Sequence, residues 1–331
     1  MAEYKGIHGT KIQNYTSDPA NPILGQVWYN ETSQTMKVQA VTTVGAWATG
    51  GSLNQGRSHF QGGGGNSNSS ALAVAGYPGY YTNTESYNGS AWTEVNDLNV
   101  PKGFATTSGT QTSAINCAGA DATGSVATSE SWNGTCWTAL NPVNTARNQV
   151  ASAGADNTSA LLFGGYAPPI TFAALTESYN GTSWSEVSDL NTARYVLAGA
   201  GIATSALAYG GDGSAPGYQA ETESWNGTSW TEVADLNTAR FGMASTNGTD
   251  NTSALSGGGE QTGVGVVAIT EEWNGTSWTE VADLSTSRYA IGGAGTTSSA
   301  IAFGGNPLAT GSLTEEWNGA GSPTTRTITS S

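Results

Sequence analysis

Carboxylates three residues apart recur along the chain, as Glu186 with Asp189, Glu232 with Asp235 and Glu280 with Asp283. Such a pair is the raw material of general acid–base or glycoside chemistry, which needs two carboxyl groups in different environments. A catalytic pair should occur once, whereas these repeat, so they are assigned to the scaffold. Arg147, Arg194, Arg240 and Arg288 recur beside them and are their expected partners. The doublets Glu271-Glu272 and Glu315-Glu316 read as solvated charge at strand ends, with a bound cation as the alternative. His8 and His59 are the only histidines. They lie in different parts of the chain and near no nucleophile elbow, which disfavours a Ser-His-Asp triad or a two-histidine metal site. Cys117 and Cys136 are expected to be free, partly buried thiols, and no Cys or His cluster has zinc spacing. Gly62–Gly65 lacks the lysine of a phosphate loop. No catalytic residue, metal or cofactor is predicted.

The elements that hold these residues come from a repeat. Asn226–Arg240 reads N-G-T-S-W-T-E-V-A-D-L-N-T-A-R, and Asn274–Arg288 is almost a copy. The tryptophan after the Asn-Gly turn recurs at Trp47, Trp92, Trp137, Trp184, Trp230 and Trp278, at intervals of 45, 45, 47, 46 and 48 residues. A period in the forties with strand-like content predicts four-stranded propeller blades. In one such unit, 195–201, 205–211, 221–225 and 230–236 are the expected strands a to d. The turn Asn226–Ser229 then sets Trp225 opposite Trp230. Glycine pairs such as Gly210-Gly211 end strand b, where they are expected to allow close packing near the axis. A basic residue opens each unit: Arg57, Lys102, Arg147, Arg194, Arg240 or Arg288. That makes six units. The sixth lacks strand d after Trp317, and the degenerate copy at 44–57 supplies it, so pairing of 44–53 with 314–317 closes the ring.

Arginine, a run ending in Gly-Gly, Glu-Ser-Trp or Glu-Ser-Tyr, tryptophan, then leucine and arginine again: this pattern resembles the kelch repeat over residues 44–319. The resemblance implies an all-β fold, a β-propeller, and the six units counted above make it a six-bladed one. It departs from the family in its short c–d hairpins. The kelch family includes a copper oxidase that needs two histidines and two tyrosines, which His8 and His59 do not supply. The arm residues 25–47 and the Ser/Thr/Asn/Gly/Ala-rich style are similar to kelch-like tail-fibre and virion proteins of marine bacteriophages. That implies a place in the virion, with no enzymatic activity.

Net charge is −15 over 331 residues, which argues against nucleic acid and anionic membrane as partners. Residues 1–43 are neutral, with Lys5, Lys11 and Lys37 against Glu3, Asp18 and Glu31, and do not repeat. They read as an extended docking arm with a hairpin, 26–29 against 35–39. Tyr4, Ile7, Ile12, Tyr15, Trp28 and Tyr29 are its candidate contacts with other virion proteins. Residues 320–331 read as a polar tail. No stretch is a secretory signal or a membrane span, so the expected setting is a virion assembled in a host cytoplasm, in multiple copies per particle.

What varies between units is the b–c loop. In a blade ordered a-b-c-d these loops share one face with the d–a crossings, and loops on a rigid scaffold carry recognition. Tyr77, Tyr80, Tyr81, Tyr166, Phe172 and Tyr218 are the candidate contacts to a host glycan or protein. Apolar runs at 170–175 and 264–269 point to a covered interface. The expectation is a tail-fibre adhesin. The alternatives are a capsid or tail decoration protein and, from another class, a carbohydrate-active enzyme.

Overall fold

The computed structural model describes residues 12–19, 26–41, 45–60, 62–169, 171–214, 217–246, 248–319 and 323–328. The chain forms two compact units, one spanning 46–318 and the other drawn from its two ends, up to Gly45 and from Gly319.

The larger unit is all-β. Its described residues form six four-stranded antiparallel sheets, each about one repeat long, compatible with propeller blades. The sheet of the best-preserved repeat runs Ala198–Ile202, Ser205–Tyr209, Thr222–Trp225, Trp230–Glu232. The strands pair in chain order, and Trp225 stands opposite Trp230 with ring centroids 5.3 Å apart. The turn between them is closed by Asn226, whose Oδ1 accepts the N–H groups of Thr228 and Ser229 at 2.9 and 3.0 Å. Gly227, at φ 93, takes the left-handed conformation that the Asn-Gly pair predicts. Numbered along the chain, sheet 1 begins at Gly64 and sheet 6 at Gly292. Sheet 6 takes its outer strand from the far end of the unit. Ala46–Thr49 pairs with Glu315–Asn318, and Trp47 faces Trp317.

The strand c glutamates tie the sheets together, which corrects one expectation. The arginines bridge to Glu177, Glu223, Glu271 and Glu315, not to the nearer Glu186, Glu232 and Glu280. Those last three are exposed, and Asp189, Asp235 and Asp283 accept the N–H groups of Thr176, Thr222 and Thr270. The cause is strand parity. Successive side chains point to opposite faces, so Glu271 is buried while its neighbour Glu272, on the other face, is only half-buried. Glu271 and Glu315 are therefore not solvated strand-end charge.

Each buried glutamate is fully used. Glu271 Oε2 accepts Asn237 N–H at 2.7 Å and Asn237 Nδ2 at 2.8 Å, while Oε1 accepts Arg240 Nη2 at 2.9 Å. Asn237 and Arg240 follow strand d of one sheet, and Glu271 lies on strand c of the next. The L-N-x-x-R run is thus an inter-sheet clasp. Asn54 and Arg57 make the same clasp from the outer strand of sheet 6 onto Glu85 of sheet 1, at 2.7 and 3.0 Å. Sheet 2 departs from the pattern. Lys102 stands in place of arginine and donates to Thr128 O at 3.2 Å, and burial lowers its pKa to about 8. Cys117 beside it is pushed up to about 12 by burial, whereas Cys136 is exposed.

A second bond links five of the six outer tryptophans to the preceding sheet. Trp230 Nε1 donates to Thr176 Oγ1 at 3.1 Å, and Trp278, Trp137, Trp92 and Trp47 donate likewise to Thr222, Thr84, Thr314 and Thr270. At the sixth place the acceptor is serine. Neither Trp184 Nε1 nor Ser129 Oγ has a partner among the described residues. Ser129→Thr should restore the bond and raise stability by about 1 kcal/mol. A higher unfolding midpoint in guanidinium checks this, and an unchanged midpoint refutes it.

The strand b glycine pairs serve the next crossing. Gly258 and Gly259 have φ 68 and 106, and a Cβ on Gly258 would lie 2.6 Å from Arg288 O. The carbonyls of Arg194, Arg240 and Arg57 approach Gly164, Gly210 and Gly304 as closely, whereas Ala118 takes this place opposite Arg147. Close contact between inner strands falls to other glycines, such as Gly293, whose Cβ would meet Ser245 O at 2.5 Å.

In the smaller unit Val27–Asn30 and Thr35–Val41 form the expected hairpin. Gln13–Tyr15 adds in parallel to Val27–Asn30. Pro323–Ile328, expected as tail, is a strand paired antiparallel with Thr35–Val41. Its β-branched threonines suit an extended chain, and four strands are more stable than a lone hairpin.

Candidate functional site

Every crossing after a basic residue pairs with the b–c loop of its own sheet. The bridges are Ser58 with Tyr77, Gly103 with Ala120, Asn148 with Tyr166, Tyr195 with Asp212, Phe241 with Glu260 and Tyr289 with Asn306. The b–c loops and d–a crossings therefore share one end of each sheet.

The next residue in each crossing is left-handed: His59, Phe104, Gln149, Val196, Gly242 and Ala290 have φ between 52 and 67. This bend lets one crossing's N–H reach the previous crossing's carbonyl. Gln149 donates to Phe104 O, Val196 to Gln149 O, Gly242 to Val196 O and His59 to Ala290 O, at 2.9–3.1 Å.

Around these crossings lies a belt of rings. Tyr80 packs on Tyr77, Tyr77 on His59, His59 on Tyr289, Tyr289 on Phe241 and Phe241 on Tyr218, with centroids 4.3–6.4 Å apart. Phe172 and Tyr166 pack on Tyr195. Burial lowers the His59 pKa to about 4, so its imidazole is neutral at neutral pH.

Between Tyr80 and Tyr166 the belt is broken by a cavity of about 620 Å³. Tyr80, Phe104, Tyr166 and Tyr195 form its aromatic sides, while Asp121, Thr123, Asn148 and Gln149 supply its polar groups. Asn148 Nδ2 is held by Ser125 Oγ at 2.8 Å, and Asp121 Oδ1 by Thr123 N–H at 2.7 Å. The Tyr195 hydroxyl donates to Asp212 Oδ2 at 3.1 Å and is raised to about 12, first by burial. The Gln149 carboxamide and the Tyr80 and Tyr166 hydroxyls have no hydrogen bond among the described residues.

The expected contact residues divide. Tyr80 and Tyr166 line the cavity, Tyr77 packs behind Tyr80, and Phe172 packs on the lining residue Tyr195. Tyr81 is not in the lining, and Tyr218 lies against Phe241, its hydroxyl bonded to Glu260 at 3.2 Å. Sequence reasoning missed Asn148, Gln149, Phe104 and Tyr195. Their signal was available, because the two positions after the basic residue change type from unit to unit.

Of the arm candidates, Tyr4 and Ile7 lie outside the described residues. Trp28 is fully buried, with Nε1 donating to Asp18 at 3.0 Å, which leaves it unfree for docking. Tyr15 and Tyr29 are half-buried and Ile12 is exposed. Among the described residues no group of three or more His, Cys, Asp or Glu is placed to hold a metal ion. His8 lies outside them. No protein-family model matches the chain, and comparison with curated proteins finds no match.

Proposed function

We propose that residues 46–318 close into a six-bladed propeller and that the chain is a non-enzymatic bacteriophage virion protein. In this reading the arm docks to the particle and the loop end of the propeller contacts the host surface. Closure is supported by the Arg57–Glu85 clasp, which repeats between sheets 6 and 1 the bond made between consecutive sheets. It is supported also by the contact of inner strand Gly292–Thr296 with Gly64–Ser67, and by the His59 bond to Ala290.

One observation carries the attachment role. Strands, clasps and turns repeat from sheet to sheet, while unrepeated chemistry gathers at the loop end, in the aromatic belt and its cavity. Selection for a scaffold alone does not call for that asymmetry. The likeness of residues 25–47 to phage virion proteins supplies the setting. A decoration role is the second reading, favoured by Val264 and Leu308, which are 67% and 49% exposed in the loops of sheets 5 and 6.

The test is location. An antibody to residues 45–319 should mark intact phage particles, with label at the tail for attachment. Label spread over the head favours decoration. An antibody that marks only particle-free lysate overturns the virion assignment.

A further inference from the structure

The gap in the belt between Tyr80 and Tyr166 is the one that opens into a cavity, and the substitutions there share a chemistry. The left-handed crossing residue is Phe104 on one side of the gap and Gln149 within it. The residue before Gln149 is a second amide, Asn148. Gln149 presents two donors and one acceptor, with no bond to them among the described residues. Asn148 has its Nδ2 occupied by Ser125, which orients its Oδ1. Asp121 is fixed by Thr123, leaving acceptor capacity. Tyr80 and Tyr166 stand to the sides.

We propose that this cavity holds a neutral pyranose, the recognised unit of the host-surface glycan; the assignment rests on the attachment reading above. A pyranose carries neighbouring hydroxyls on its rim, each both donor and acceptor, which planar amides and carboxylates bind in pairs. Its axial C–H groups form apolar patches that pack on aromatic faces. The cavity offers both, and its volume falls within the roughly 300–1,000 Å³ of small-molecule sites. The sign of charge selects further. No Arg, Lys or His lines the cavity, Asp121 does, and the whole chain carries −15. Phosphorylated, uronic and sialic sugars are therefore repelled.

The experiment titrates the full chain with glucose, galactose, mannose and N-acetylglucosamine, followed by saturation-transfer NMR. Glucuronate and N-acetylneuraminate serve as charged counterparts. At least one neutral sugar should bind saturably, and neither anion should. Gln149→Ala and Tyr166→Ala should each weaken binding about tenfold, at an unchanged unfolding midpoint. No saturable binding of any neutral sugar overturns the proposal, as does equal binding of the anions or undiminished binding in both variants. Fluorescently labelled chain separates this from the attachment reading. Adhesion to host cells that Gln149→Ala leaves intact sinks the cavity and keeps attachment. Sugar binding by a chain that marks neither cells nor particles keeps the cavity and sinks attachment.

Discussion

Arg240→Met is expected to destabilise the larger unit by about 3–5 kcal/mol, the usual consequence of removing one partner of a buried ion pair. Arg240 and Glu271 are both fully buried. Without the guanidinium, Glu271 keeps its bonds from Asn237 but has no countercharge, and the Ile269 carbonyl loses the donor now 2.7 Å away. The loss should be strongly coupled. Adding Glu271→Gln to Arg240→Met should recover part of the stability, because the stranded charge is removed with its partner. Denaturant unfolding of the two single variants and the double variant measures this. Simple additivity would mean that Arg240 acts by filling space. Sheet 2 is a natural version of the experiment: Lys102 keeps a cation near Glu130 but makes its closest bonds to Thr128.

Two truncations should behave oppositely although they differ by thirteen residues. A chain of residues 45–319 should fold, with the cooperative unfolding of the intact larger unit. A chain of residues 58–319 should not. It lacks Trp47, which pairs with Trp317, and Leu53, buried in the cluster with Phe60 and Trp92. It also lacks Arg57, the partner of Glu85, and leaves Thr314–Asn318 as a bare edge open to other chains. Size-exclusion chromatography with tryptophan fluorescence distinguishes the outcomes. A monomeric, native-like 58–319 would show that the six sheets do not depend on the Ala46–Thr49 strand.

The sheets were legible because their marks are local. An Asn-Gly turn between two aromatics dictates a short hairpin, and the tryptophan interval counts the copies. The provenance of the outer strand of sheet 6 was readable from the unfinished repeat at Trp317. The clasps were misread because proximity in sequence was taken for proximity in space. Glu232 is eight residues from Arg240, whereas the true partner Glu271 is 31 residues on. Strand parity, applied to Thr-Glu-Glu-Trp and Thr-Glu-Ser-Trp alike, would have placed the first glutamate inward. The strand at 323–328 was missed because a short threonine-rich run has no apolar alternation to announce it. The cavity lay beyond reach for a different reason. It forms where the repeat fails, and its walls come from the loop ends of several sheets, so no single stretch displays it.

The outer strand of sheet 6 also has a history in time. Ala46 and its partner Asn318 are separated by 272 residues of synthesis. At about 5–20 residues per second, Trp47 leaves the ribosome roughly 15–50 s before Trp317 exists to receive it. During that interval the earliest strand of the unit is an orphan, and on a crowded messenger the nearest finished Thr314–Asn318 belongs to the chain ahead. The seam that completes the unit is thus also the place where two nascent copies can exchange partners, and the speed of translation sets how often they meet.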